Sequence, residues 1–417
     1  MKITAVESIP LVYPYEKPIY DASFKAAQRQ AILVRIDTDA GISGWGEAAS
    51  FGGPLESTAT VIDKELAPRI LGADPFQVER IWQILYHQSW QHGRGGIVVC
   101  ALSGIDIALW DIIGKATKTP LYRILGGYSN QVRAYASGGF YTPGKGVKEL
   151  VAELTGYAAR GYTAVKMKVG RNGTALNPLE VMPDPDYCLS LDEDLARVEA
   201  VRKALGREVQ LLVDANAAWD VHTALLAGRH FDRLGVAMFE EPISTDNIEG
   251  SAQLARQLDL KIAGYESEQL LYNFARMISS QAVDVVQPDL SWAGGITECR
   301  KIAAFAAAYH KEVAPHCFSS AVCLMASLHF LASLPNAGLL EMDQNPNGLR
   351  TEIVDNPIVI GADGCVRVPE RPGLGIEINE DAVEKYRIRY EYSGRQAHAI
   401  HADTKHTLHF CAERLPG

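Results

Sequence analysis

Lys166-Met167-Lys168, Asp214, Glu240-Glu241, Glu266, Asp289, His316 and Glu341 each close a short apolar run, and from Asp214 onward they recur at intervals of 26, 26, 23, 27 and 25 residues. Each interval has room for one strand and one helix, so successive members fall on successive strands. One Asp at a strand-to-helix junction is most often a helix cap. Six consecutive runs ending in ionisable residues need a stronger reason. Carboxylates converging from neighbouring strands repel one another unless a cation compensates, and hard oxygen donors in that number favour magnesium over zinc. Lys166 and Lys168, two apart on a strand, share a face; each ammonium is expected to lower the other's pKa and so yield a general base. Asp289 and His316 end adjacent strands, where the carboxylate can orient the imidazole and raise its basicity, a second acid/base group across the mouth.

The elements that must position these residues are legible in the same runs. VRAYASG, TAVKMKV, VQLLVDA, VAMFEE, LKIAGYE, AVDVVQPD, EVAPH and AGLLEMD are eight apolar strands alternating with helical stretches such as Leu195, Val198, Val201 and Leu205. That rhythm predicts a parallel sheet, and a closed barrel fits better than an open one because no Gly-x-Gly-x-x-Gly follows the first strand. Catalytic groups of such a barrel lie at the C-terminal strand ends, where the ionisable residues fall. Ahead of the barrel, alternation predicts strands over Ile3–Val12, Arg29–Thr38 and Ile42–Ala48, followed by helices from about Ser57 to Leu125 that stop at Gly126-Gly127. Four stretches result: an α+β unit over 1–127, a barrel over 128–341, a segment over 342–390 that returns to cover the first unit, and an extension over 391–417. His398, His401, His406 and His409 in the extension read as a polar tail rather than a metal site.

Bulk composition excludes several classes. A chain of 417 residues with 47% apolar and 22% charged residues suits a globular protein of two domains. Net charge is −10 without a basic block, which argues against nucleic acid. No stretch reads as a membrane span or a signal peptide, so a cytoplasmic location is expected. The seven cysteines are scattered without a C-x-x-C pair, which points to reduced thiols.

GWGEA (Gly44–Ala48), ALSGIDIALWDIIGK, PLYRILGG, KMK, VDAN, EEP, the fifth-strand Glu, QPD and the PH of strand seven occur in this order. Together they resemble the enolase superfamily, in its mandelate racemase and muconate lactonizing branch, over the chain to about residue 390. The resemblance implies a (β/α)7β modified TIM barrel with an N-terminal α+β capping domain completed by the C-terminal segment. It implies Asp214, Glu240 and Glu266 as Mg²⁺ ligands, preferring Glu240 to Glu241 and Glu266 to Glu268, which spacing leaves open. It implies Lys168 as base on one face with Lys166 beside it at the substrate carboxylate, His316 with Asp289 as acid/base on the other, and Glu341 as a protonated or proton-sharing donor. Asn216 joins the substrate contacts on the same resemblance.

Such a set removes the proton beside a carboxylate, as the superfamily does with a Lys or His base and Mg²⁺. Dehydration of an acid sugar, an aldonate or aldarate, is the favoured outcome, because Tyr15–Arg29 would cover the mouth as a loop with Tyr20, Asp21, Ser23, Lys25 and Gln28, polar groups suited to hydroxyls rather than an aryl ring. Tyr20 and Lys25 are the substrate contacts expected there. A racemase or epimerase is equally well served by Lys168 and His316; a non-catalytic cation-binding barrel would not need the intact acid/base set. A small carboxylate is the expected partner, in a homo-oligomer. Two departures stand out: Tyr265, where the family commonly has a small residue, is expected to reshape the pocket floor, and Arg171–Leu191 reads as an insertion, a lid or an oligomer contact.

Overall fold

β1 (Ile3–Tyr20) and β2 (Lys25–Thr38) form an antiparallel hairpin longer than the alternation predicted. The sequence places the end of β1 at Val12 and a loop over Tyr15–Arg29, yet the pairing only shifts register between Pro14 and Ile19 and then resumes, which is how an irregularity accommodates Pro18, a residue that cannot donate. β3 (Ser43–Ala48) completes the sheet against β2. Its two glycines have a packing cause: a Cβ on Gly44 would overlap the Ala108 carbonyl, and one on Gly46 the Gly104 carbonyl, both on the helix Ile97–Ala116. That helix is long and apolar enough to span a bilayer, but 89% of its apolar window is buried within the protein, so it is a core helix.

The computed structural model describes residues 1–172, 184, 188–393, 396–401 and 407–408. All eight predicted barrel strands are present: β4 (Gln131–Ser137), β5 (Ala164–Lys168), β6 (Gln210–Asp214), β7 (Met238–Glu240), β8 (Lys261–Gly264), β9 (Val285–Val286), β10 (Glu312–Val313) and β11 (Leu340–Asp343). From β4 to β10 each pairs in parallel with the next, and β11 pairs in parallel with β4. Closure between β10 and the run into β11 comes from Val313, whose N–H donates to Asn336 and whose carbonyl accepts from Gly338 at 3.0 and 2.8 Å. One helix fills each gap between consecutive strands, from Val147–Ala159 to Ala321–Ala332, the (β/α)7β order. Tyr135, Ala164, Leu212, Met238, Ala263, Val285 and Ala314 pack as an apolar layer across the barrel interior, leaving the polar strand ends at the opposite mouth.

The segment after β11 touches both the barrel and the first unit. β12 (Cys365–Arg367) pairs antiparallel with β4, which ties the middle of the segment to the barrel sheet. Glu370 accepts from Tyr122 Oη at 3.0 Å, the Gly373 N–H donates to the Thr119 carbonyl at 3.0 Å and the Leu374 N–H to Asp111, and the helix Glu380–Tyr386 follows, where the Tyr386 ring meets Tyr13 at 5.6 Å. β13 (Ile388–Ser393), β14 (Gln396–His401) and β15 (Thr407–Leu408) then form an antiparallel sheet in what was expected to be a tail; His406 and His409 lie outside the described residues. Most of the 171–191 insertion lies outside them too.

Candidate active site

The strand ends bring the ionisable residues together as their spacing implied. Asp214, Glu240 and Glu266, from β6, β7 and the turn after β8, each offer an oxygen within 4.8 Å of the others. Lys166 Nζ lies 2.6 Å from Glu240, 2.8 Å from Glu341 and 3.5 Å from Asp214, and Lys168 hydrogen-bonds Asp214. At the other end of the triad, His316 Nδ1 is 2.7 Å from Asp289 and Nε2 is 3.6 Å from Glu266. β5 lies on one flank of β6–β8 and β10 beyond the other, so the lysines and the histidine face the carboxylates from opposite sides. Three converging carboxylates with hard oxygen donors and no thiolate fit a small divalent cation such as magnesium.

Protonation follows from this crowding. Burial works against the charge on Lys168, but Asp214 outweighs it and the pKa is raised; Lys166 is raised well above its usual range by Glu240 and Glu341 against the same burial. The expected mutual lowering of the lysines exists, since Lys166 does push Lys168 down, but the carboxylates overrule it. Glu240 is pushed up to about 8 by burial and by Asp214, whereas Asp214 is held below the usual carboxylate range because Lys168 and Lys166 outweigh its burial. Glu341 is held at about 2: burial is outweighed by Lys166, then His316 and the Cys317 N–H, 3.0 Å from its Oε2. The shift favours the carboxylate beside the Lys166 ammonium, 2.8 Å away, which is the proton-sharing form of the two expected. For His316, burial favours the neutral ring, but Glu266 and Asp289 raise its pKa well above the usual value, which suits an acid.

Neighbouring residues explain the choice among adjacent glutamates. Glu241 accepts the N–H groups of Tyr265 and Glu266 at 3.1 and 3.2 Å, bracing the turn that presents Glu266. Tyr265, with φ of +72°, is buried in the main core near Glu249 and Ser251 of the helix Ile248–Gln257. Gln287 donates to Glu240 at 2.9 Å. Asn216 N–H donates to Asp214 at 2.9 Å, and its buried Oδ1 has no hydrogen-bond partner among the described residues.

Tyr20 and Lys25, at the hairpin tip, both bond the Asp184 carboxylate, at 2.8 and 2.7 Å. A tip residue that faces the lysines is Asp21, whose carboxyl is raised by burial and lowered by Lys168. Its Oδ1 accepts from the N–H groups of Ser23 and Phe24, an Asx turn at the hairpin tip. Sequence reasoning missed aromatic neighbours. Phe51 packs on Trp292 at 5.1 Å and edge-on to His316 at 5.7 Å, while Phe318 stacks on Phe140, whose ring lies 5.0 Å from Lys168 Nζ. The mouth therefore joins polar and aromatic groups. Glu47 of GWGEA accepts from Ser320 N, Ser320 Oγ and Cys323 N, holding the start of the helix Ala321–Ala332 just beyond His316.

Residues 6–126 match the "Mandelate racemase / muconate lactonizing enzyme, N-terminal domain" family and residues 149–382 the "Enolase C-terminal domain-like" family. Over 360 residues the chain is 36% identical to an arabinonate dehydratase of Saccharolobus solfataricus, covering 86% of this chain and 91% of that protein. It is 34% identical over 398 residues to a D-galactarolactone cycloisomerase of Agrobacterium fabrum, covering 93% and 99%. A racemase from Streptomyces coelicolor A3(2), solved with bound magnesium, superposes with a TM-score of 0.82 at 32% identity, over 92% of this chain and 99% of that one. The chain belongs to the mandelate racemase and muconate lactonizing enzyme family of the enolase superfamily.

Proposed function

We propose that this protein removes the proton beside the carboxylate of an acid sugar and expels the hydroxyl on the next carbon as water, leaving a 2-keto-3-deoxy acid. The observation that carries the reading is the pair of acid/base groups, Lys168 and His316–Asp289, at opposite ends of one carboxylate triad. The dehydratase named among the relatives supports the substrate class.

The proton in question is weakly acidic because its loss places a second negative charge on the carboxylate. Asp214, Glu240 and Glu266 would hold Mg²⁺, which supplies Lewis-acid compensation for that charge. Lys166, charged and fixed by Glu341 and Glu240, binds the substrate carboxylate from the second side. Lys168 takes the α-proton as a neutral amine, having first released its own proton to solvent; a divalent cation held by Asp214 would weaken the attraction that keeps the ammonium charged. His316, protonated beside Asp289, delivers a proton to the departing hydroxyl, and Asn216 offers its free amide oxygen to a substrate hydroxyl. The reading includes a capping unit over 1–127, a catalytic barrel over 128–341, a return segment over 342–390 and an extension over 391–417, working as a cytoplasmic homo-oligomer on a small carboxylate.

A screen of aldonates and aldarates with Mg²⁺, read by 2-keto acid formation, tests the proposal; at least one should react, and chelation should stop it. One finding favours a second reading. The match to a cycloisomerase spans 99% of that protein, so the screen includes aldarolactones, and ring opening of a lactone to a 2-keto acid of unchanged mass, with no water gained or lost and no reaction of the open-chain acids, would favour it.

A further inference from the structure

Behind Lys168, outside the triad, lies a buried network that the mechanism above does not use. Asp194, in the first turn of the helix Leu191–Leu205, is fully buried and accepts four donors: Tyr141 Oη at 2.8 Å, Arg197 at 2.6 Å, and the Gly170 N–H and Asn172 Nδ2 at 2.8 Å each. Arg197 also donates to the Lys168 carbonyl at 3.2 Å and lies 4.1 Å from the Tyr141 ring centre. The strand leaving Lys168 is thus gripped at Lys168, Gly170 and Asn172 by one helix turn, and Gly170, with φ of +95°, is the point where the backbone bends to meet it. Tyr141 carries the network outward: its N–H and carbonyl pair with the carbonyl and N–H of Tyr20 at the hairpin tip, both at 2.9 Å.

We propose that Asp194 is a positioning residue for Lys168: it fixes the end of β5 on the lysine side of the site and, through Tyr141, makes that position depend on a seated hairpin. This rests on the reading of Lys168 as base. A carboxylate satisfying four buried donors has no slack, so its removal lets the strand end shift, and displacement of a catalytic group by about 1 Å can cost about 100-fold in rate. His316, on the far flank with its own partner Asp289, is untouched by such a shift.

The test is face-selective exchange in D₂O with Mg²⁺, using arabinonate and its C2 epimer ribonate, which present the C2 proton to opposite sides. Asp194→Asn should lower exchange on the lysine face roughly 10- to 100-fold, with KM nearly unchanged, and leave exchange on the histidine face within about twofold of wild type. Tyr141→Phe, which removes one donor and keeps the ring under Arg197, should shift the same face in the same direction by a smaller factor; it decides the matter alone if Asp194→Asn does not fold. Equal loss on both faces, or no loss on the lysine face while Lys168→Ala abolishes it, overturns the positioning role and leaves the base assignment standing. Retention of lysine-face exchange in Lys168→Ala refutes the base assignment itself.

Discussion

At the scale of single residues, the arrangement balances charge in two ways that cannot both be complete. Lys166 and Lys168 neutralise Asp214 and Glu240, the carboxylates a divalent cation would also claim. Glu240 stands between both demands, buried and raised to about 8. Glu240→Gln should therefore weaken Mg²⁺ binding and lower turnover by a factor on the order of 100 or more, with little change in the melting temperature of the metal-free protein, because Lys166 keeps Glu341. Calorimetric titration with Mg²⁺ beside a thermal melt checks this; unchanged affinity would remove Glu240 from the ligand set. The strand-end residues were legible because strand period and barrel topology determine where such groups fall. Protonation was not, since it depends on distances between side chains of different strands: two neighbouring lysines read as a depressed pair, and only the 2.6–2.8 Å approach of Glu240 and Glu341 reverses the sign for Lys166.

At the scale of elements, the first unit acts on the site through β3 and the β1–β2 hairpin. The glycines of GWGEA let β3 lie against the helix Ile97–Ala116, and that contact aims Glu47 at Ser320 and Cys323. Gly46→Ala forces strand and helix apart and should destabilise the protein by about 2–3 kcal/mol. It should also reduce the acid step at His316 more than substrate binding, seen as a fall in kcat at near-constant KM. A neutral effect in both would mean that Glu47 is held in place some other way. The eight barrel strands and their order were readable from apolar runs ended by polar residues. The hairpin's length was not, because the run from Tyr13 to Tyr20 does not alternate cleanly, although its pairing with β2 resumes at Ile19 beyond a register shift.

At the scale of the whole molecule, one histidine joins parts of the chain far apart in sequence. His329, on the barrel helix Ala321–Ala332, accepts from Tyr122 N–H at 3.1 Å and faces the Leu374 carbonyl at 3.1 Å, so it is held neutral between the first unit and the return segment. Burial lowers its pKa to about 4. Between about pH 6.5 and 4 the unfolded chain therefore binds a proton that the folded chain refuses, and stability from this residue, full above 6.5, is lost as pH falls through that window, by roughly 3 kcal/mol. Melting curves from pH 7 to 4 should fall more steeply for the wild type than for His329→Gln; parallel curves would refute it. No pattern in the sequence indicated this contact, because its partners are backbone groups 207 and 45 residues away. The central claim concerns the reaction, and proton NMR of an active aldonate incubated with Mg²⁺ in D₂O tests it most directly. The account predicts a 2-keto-3-deoxy acid carrying one deuterium at C3, absent in His316→Asn even where that variant still exchanges the C2 proton through Lys168. Formation of the C2 epimer alone, deuterated at C2 and without keto acid, would contradict it.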